Sequence, residues 1–185
     1  MTRTMRTFNF IFSLTLAALL AGAASAHAAD VLPERLSQTG LYADIAAKQI
    51  APGVLSFSPQ YPLWSDGARK QRWIALPPGT SVDASDPDAW VFPVGTRLWK
   101  ECAFDRRIET RFLELTAAGW AFATYRWLDD ESDAVLAAKL GERAVYRLPD
   151  GVAYDLPARS DCRACHEGNV SGVLGFSALQ LSGAR

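Results

Sequence analysis

The run Cys162-Arg163-Ala164-Cys165-His166 restricts this chain more than any other stretch, because it asks for two thiols and an imidazole on neighbouring positions of one helical turn. Covalent attachment of a c-type haem needs that arrangement. Each thiol adds to a vinyl group on one porphyrin edge, and the histidine meets the iron from beneath the ring. Cys162 and Cys165 are therefore read as haem-attachment residues and His166 as the proximal iron ligand, with one haem c per chain. Three other chemistries fit fragments of the motif. A dithiol redox site belongs early in a βαβ unit, whereas only 19 residues follow His166. A zinc site would have to gather Cys102, Cys162, Cys165 and His166, yet the adjacent Cys165 and His166 do not readily face one tetrahedral ion. A plain Cys162–Cys165 disulfide in a non-haem interaction module is the third.

The N-terminus agrees with haem attachment outside the cytoplasm. Arg3 and Arg6 precede an apolar run from Phe8 to about Leu20, and small residues follow as far as Ala29. That layout predicts a secretory signal peptide over residues 1–28, cleaved after Ala26, Ala28 or Ala29, and a periplasmic or secreted product with no stable membrane insertion. The remaining residues 29–185 suit one domain with its own core. Its charges are scattered with a slight acidic excess, so neither nucleic acid nor an anionic membrane surface is called for. The cysteine count is odd, three in all, which argues against a disulfide framework.

The identity of the sixth ligand decides whether a haem passes electrons or binds small molecules. Both methionines, Met1 and Met5, lie in the predicted signal, so an internal His/Met pair is excluded. That leaves water, an open position, a tyrosine, His27 near the new N-terminus, or a lysine such as Lys48, Lys70, Lys100 or Lys139.

The body preceding the motif reads as mostly β. Runs rich in Trp, Phe, Val, Ile and Thr cover residues 71–76, 97–104, 108–115 and 120–128, separated by Pro77-Pro78-Gly79, Asp105-Arg106-Arg107 and Ala117-Ala118-Gly119. The last three predict an antiparallel meander. Trp120, Phe122 and Thr124 alternate with Ala121, Ala123, Tyr125 and Trp127, so both faces are apolar and the sheet should be covered on both sides. Short strands are also expected over 143–148 and 152–156. Two helices are expected, over 41–50 on the spacing of Leu41, Ile45 and Ile50, and over 129–140 on its acidic start and Ala-rich continuation closed by Gly141. The fold class is thus α+β, a single domain with a mainly antiparallel sheet, few short helices and a C-terminal CxxCH segment. A small cytochrome c of the common type instead opens with its CxxCH, and the Trp- and Pro-rich middle does not read as a helix bundle.

The string Tyr61-Pro62-Leu63-Trp64-Ser65-Asp66-Gly67-Ala68 is distinctive, as are Lys70, Arg72-Trp73-Ile74, Phe92-Pro93-Val94-Gly95-Thr96, Lys100, Glu109-Thr110-Arg111 and Tyr125-Arg126-Trp127. With the CxxCH and a Leu174-Gly175-Phe176…Gln180-Leu181 tail, the chain resembles a family of exported bacterial c-type cytochrome or haem-domain proteins over about residues 53–181. The resemblance implies haem attachment and brings no known substrate.

Lys70, Arg72, Arg97, Lys100 and Arg111 are candidate partners for haem propionates, against the plainer reading of surface charges or ion pairs such as Glu109 with an arginine of a neighbouring strand. The tryptophans are assigned to core or ring packing, and Cys102 to a small buried hydrophobe. Neither a nucleophile triad nor a phosphate loop or carboxylate pair is recognisable, so no enzymatic reaction is assigned. The expected function is electron transfer with an unidentified periplasmic redox partner. Binding or sensing of a small ligand by five-coordinate haem is the alternative, and the non-haem module the third.

Overall fold

Six strands in the middle of the chain run antiparallel in strict sequence order, three of them joined by tight turns at 104–106 and 117–118 and the others by longer segments. The computed structural model describes residues 32–183; the predicted signal segment and His27 lie outside them. A 3-10 turn, Leu36–Gln38, leads into the hairpin β1 (Tyr42–Asp44) and β2 (Gln49–Ile50). The sheet follows as β3 (Leu55–Ser56), β4 (Arg69–Ala75), β5 (Arg97–Ala103), β6 (Arg107–Thr116), β7 (Gly119–Trp127) and β8 (Ala134–Leu136). A second hairpin, β9 (Glu142–Arg147) with β10 (Ala153–Leu156), precedes helix α1 (Arg159–His166), and a single turn α2 (Ala178–Leu181) ends the chain. The result is a single, mainly antiparallel β domain with few short helices.

The strand register sorts the central residues into rows, and successive rows point to opposite faces. Trp73, Trp99, Phe112 and Ala123 form one row, joined on the same face by Tyr125 and Trp127. Leu36, Leu41 and Tyr42, from the N-terminal turn and the first hairpin, cover that face. On the opposite face the row Ile74, Leu98, Leu113, Phe122 packs against Phe92, Val173 and Phe176. Both faces are covered, as the alternating aromatic pattern of β7 requires. A smaller cluster of Ile108, Ala137, Tyr154 and Leu156 closes one end beneath the second hairpin.

Neither helix expected before the motif forms. Over 41–50 the chain makes the first hairpin, turning with Lys48 at a φ of 55° and with the Ala47 amide donating to Asp44 Oδ1 at 3.1 Å. The apolar spacing explains this: Leu41 and Ile45 share a helical face, but Ile50 would fall about half a turn away from them. Over 129–140 the acidic residues act as tertiary tethers rather than as a helical first turn. Asp133 accepts from Ser37, Glu131 pairs with Arg107 at 2.7 Å, and Ala134 is buried as β8 pairs with β7. Contacts remote in sequence outweigh a weak local preference.

Candidate functional site

The three residues of the cysteine motif lie on α1, which packs across the end of β7. Pro157 and the extended Ala158 start the helix, and the Asp161 carboxylate accepts the Ala158 amide at 2.9 Å, a first-turn acidic residue where the helix dipole favours one. Cys162 is half-buried against the cluster that contains Phe122, and Cys165 is exposed. Both are free thiols, as is the fully buried Cys102 on β5. Among the described residues no three His, Cys, Asp or Glu side chains come together as a metal cluster, so Cys102 does not join the motif. A haem iron would draw only on His166 from this set, and the absence of a cluster does not bear on it.

His166 is held on two sides. Its ring lies over Phe122, with centroids 5.2 Å apart and planes inclined at 57°. Its Nδ1 lies 2.8 Å from the Gly172 carbonyl oxygen, and because a carbonyl only accepts, Nδ1 carries the proton and donates. The Nε2 lone pair is thereby left to a ligand or metal. Burial pushes the imidazole below its ordinary value of 6.5; the Gly172 bond opposes this, and Lys100 and Arg111 reinforce it. The ring is therefore neutral at neutral pH, the form that ligates.

The carbonyl that orients His166 sits in a turn built for the purpose. Asn169 Oδ1 accepts from the Ser171 amide at 2.9 Å and from its hydroxyl at 2.7 Å, and the Trp120 indole donates to the Ser171 carbonyl at 3.1 Å. Gly172 has a φ of +69°, and a Cβ there would collide with the Trp120 ring. Sequence reading did not single out this turn; the short string Asn169-Val170-Ser171-Gly172 is its only local signal. Together with Phe122 and Arg163 the turn lines a cavity of about 430 Å³ against His166.

Beside the apolar row that carries Phe122 lies a row of cations. The register sets Arg72 opposite Lys100, Lys100 opposite Arg111, and Arg111 opposite Thr124, all on the face that α1 covers. Arg111 is neutralised within its own strand: Glu109 Oε1 accepts from its Nη2 at 2.7 Å and Nε at 2.9 Å, and from the Tyr154 hydroxyl at 2.8 Å. The ion pair thus joins positions two apart along β6 and does not cross strands. Burial alone would lower the Arg111 guanidinium, but the Glu109 carboxylate outweighs it and raises it. Burial lowers both Lys100 and Arg72; Arg111 adds to the effect on Lys100. Burial likewise pushes the Cys102 thiol up to about 11, so it stays protonated as a small hydrophobe.

Two of the candidate cations are placed elsewhere. Arg97 lies on the opposite face, donating to the Thr39 carbonyl at 2.9 Å and resting on the Trp99 ring. Lys70 lies on the motif's face one row beyond, bound to the Leu63 carbonyl. Lys48 lies away from the motif, its ammonium donating to the Ile45 and Glu131 carbonyls over the Trp127 ring on the far side of the sheet.

No family model, no curated protein and no solved structure matches this chain. No helix among the described residues is long and apolar enough to cross a membrane.

Proposed function

We propose that this chain is an exported monohaem c-type cytochrome-like protein that transfers electrons to or from a partner in the periplasm. The observation that carries the reading is the Nδ1–H of His166 held by the Gly172 carbonyl within a CxxCH helix, because it leaves a neutral Nε2 as the donor that a proximal ligand must present. The family resemblance over residues 53–181 supports the same reading.

The residues present fit the group. Cys162 and Cys165 would tether a haem through two thioether bonds, each thiol S–H adding across a vinyl C=C with the hydrogen going to the neighbouring carbon, so no external oxidant would be consumed. His166 would supply a nitrogen ligand to its iron, with the Gly172 carbonyl setting the orientation and basicity of the imidazole and Phe122 limiting rotation of the ring. When bound, a haem supplies a one-electron iron couple. α1 buries none of its eight residues, so whatever it tethers stays close to the surface, within reach of a redox partner.

A second reading is favoured by the ligand inventory. With both methionines at positions 1 and 5 and Lys48 committed across the sheet, an open sixth position suits binding of a small ligand such as CO or NO. Protein made with the c-haem maturation machinery should give a covalent haemochrome spectrum that is lost in Cys162→Ala with Cys165→Ala. No covalent haem in the wild type would sink both readings. Mixing the reduced protein with CO then separates them: rapid, complete binding marks an open site, and no binding marks a strong sixth ligand and electron transfer.

A further inference from the structure

The sheet face beneath α1 carries more positive charge than the protein itself answers. Arg72, Lys100 and Arg111 stand next to one another across three strands, an arrangement that is unfavourable for like charges in a sheet. Glu109 answers Arg111 alone, and its own row places Lys70 and Arg126 on the same face. Arg126 is taken by Glu142 at 2.9 Å and Lys70 by the Leu63 carbonyl. Neither Arg72 nor Lys100 has a side-chain hydrogen bond or ion pair to any of the described residues. Both are half-buried, where an unpaired cation is costly. From α1, the Arg163–Glu167 pair at 3.7 Å and Asp161, spent on the Ala158 amide, contribute no free anion. The row shares its sheet face with Phe122, against which the His166 ring and Cys162 pack.

We propose that Arg72, Lys100 and Arg111 form a carboxylate-binding site whose occupants are the propionates of a haem held at Cys162, Cys165 and His166. The Arg72 fork can take one carboxylate by bidentate donation and the Lys100 ammonium acts beside it as a point charge, while Arg111, whose Nε and Nη2 are held by Glu109, offers only its Nη1. The inference rests on the haem reading for its occupant but not for its chemistry, because a free dicarboxylate offers the same oxygens.

The test measures the haem reduction potential against pH, between about pH 5 and pH 9, in the holoprotein and in Lys100→Gln and Arg72→Gln. Arg97→Gln, on the opposite face, is the control. Each site variant should lower the potential and move its acid-side rise about one pH unit upward, since a propionate that loses a cation protonates more readily. A rise that stays in place in both site variants, or moves equally in Arg97→Gln, overturns the assignment to propionates. Calorimetric titration with succinate forms the second arm. Binding to the wild type that weakens about tenfold in Lys100→Gln or Arg72→Gln keeps the site and assigns it to a free carboxylate. No change in either arm overturns the site altogether. Should the wild type carry no covalent haem, the functional reading fails by its haemochrome spectrum, and the succinate arm still tests the cation row.

Discussion

Glu109 shows how much one residue can decide here. It is fully buried, holds Arg111 through two nitrogens and takes the Tyr154 hydroxyl, while its other oxygen has no partner among the described residues. Removing its charge leaves Arg111 beside Lys100 and Arg72 with nothing to balance it. Glu109→Gln should therefore cost about 3 kcal/mol in urea unfolding, well above an exposed ion pair. Arg143 and Asp155, an exposed pair at 2.6 Å, provide the contrast: Asp155→Asn should leave the urea midpoint close to that of the wild type. The residue types at 109 and 111 are plain in the sequence. That they would pair along one strand, not across two, follows from the register, which sets Lys100 and Thr124 opposite Arg111 and sets Cys102 and an Arg126 already taken by Glu142 opposite Glu109.

Among the elements, the turn over residues 169–172 matters most to the site. α1 is short and buries no side chain, so the orientation of His166 depends on what the following turn presents to it. Gly172→Ala combines a left-handed φ with a clash against Trp120, and it should cost about 2 kcal/mol. Because the displaced group is the carbonyl that orders the imidazole, the yield of covalent haem protein should fall more than the yield of soluble chain. Absorbance of haem relative to total protein, measured beside Gly168→Ala, checks this; a Cβ at Gly168 meets open space. Equal ratios in the two variants would remove the orienting role assigned to Gly172.

Across the whole molecule, the sheet is sealed by segments that lie far apart in sequence. Phe176, from the C-terminal tail, meets Phe57, Trp90 and Phe92 edge-to-face at 4.9–5.5 Å. The same tail carries the turn that faces His166, so the seal and the site are one structure. Phe176→Ala should cost about 3 kcal/mol and lower Tm by about 10 °C. A scanning calorimetry trace with Tm unchanged would mean that the tail is not part of the cooperative unit.

Much of this architecture is legible in the sequence because its cause is local. The alternation along 120–127 forces a sheet with two apolar faces, the turn residues at 105–107 and 117–119 force neighbouring strands to pair, and the pentad at 162–166 places two thiols and an imidazole on one helical turn whatever surrounds them. The two helices expected over 41–50 and 129–140 failed for the opposite reason. Their residues carry weak local preferences, and Tyr42, Asp133 and Leu136 gain more from partners dozens of positions away than from a helix. The same distinction runs through the site. Sequence alone picks out Cys162, Cys165, His166 and five candidate cations. Only the tertiary structure aligns Arg72, Lys100 and Arg111 in one row, sends Arg97 to the far face and brings the Gly172 carbonyl to Nδ1, because strand register and the path of a turn are set by packing between segments that no local pattern connects.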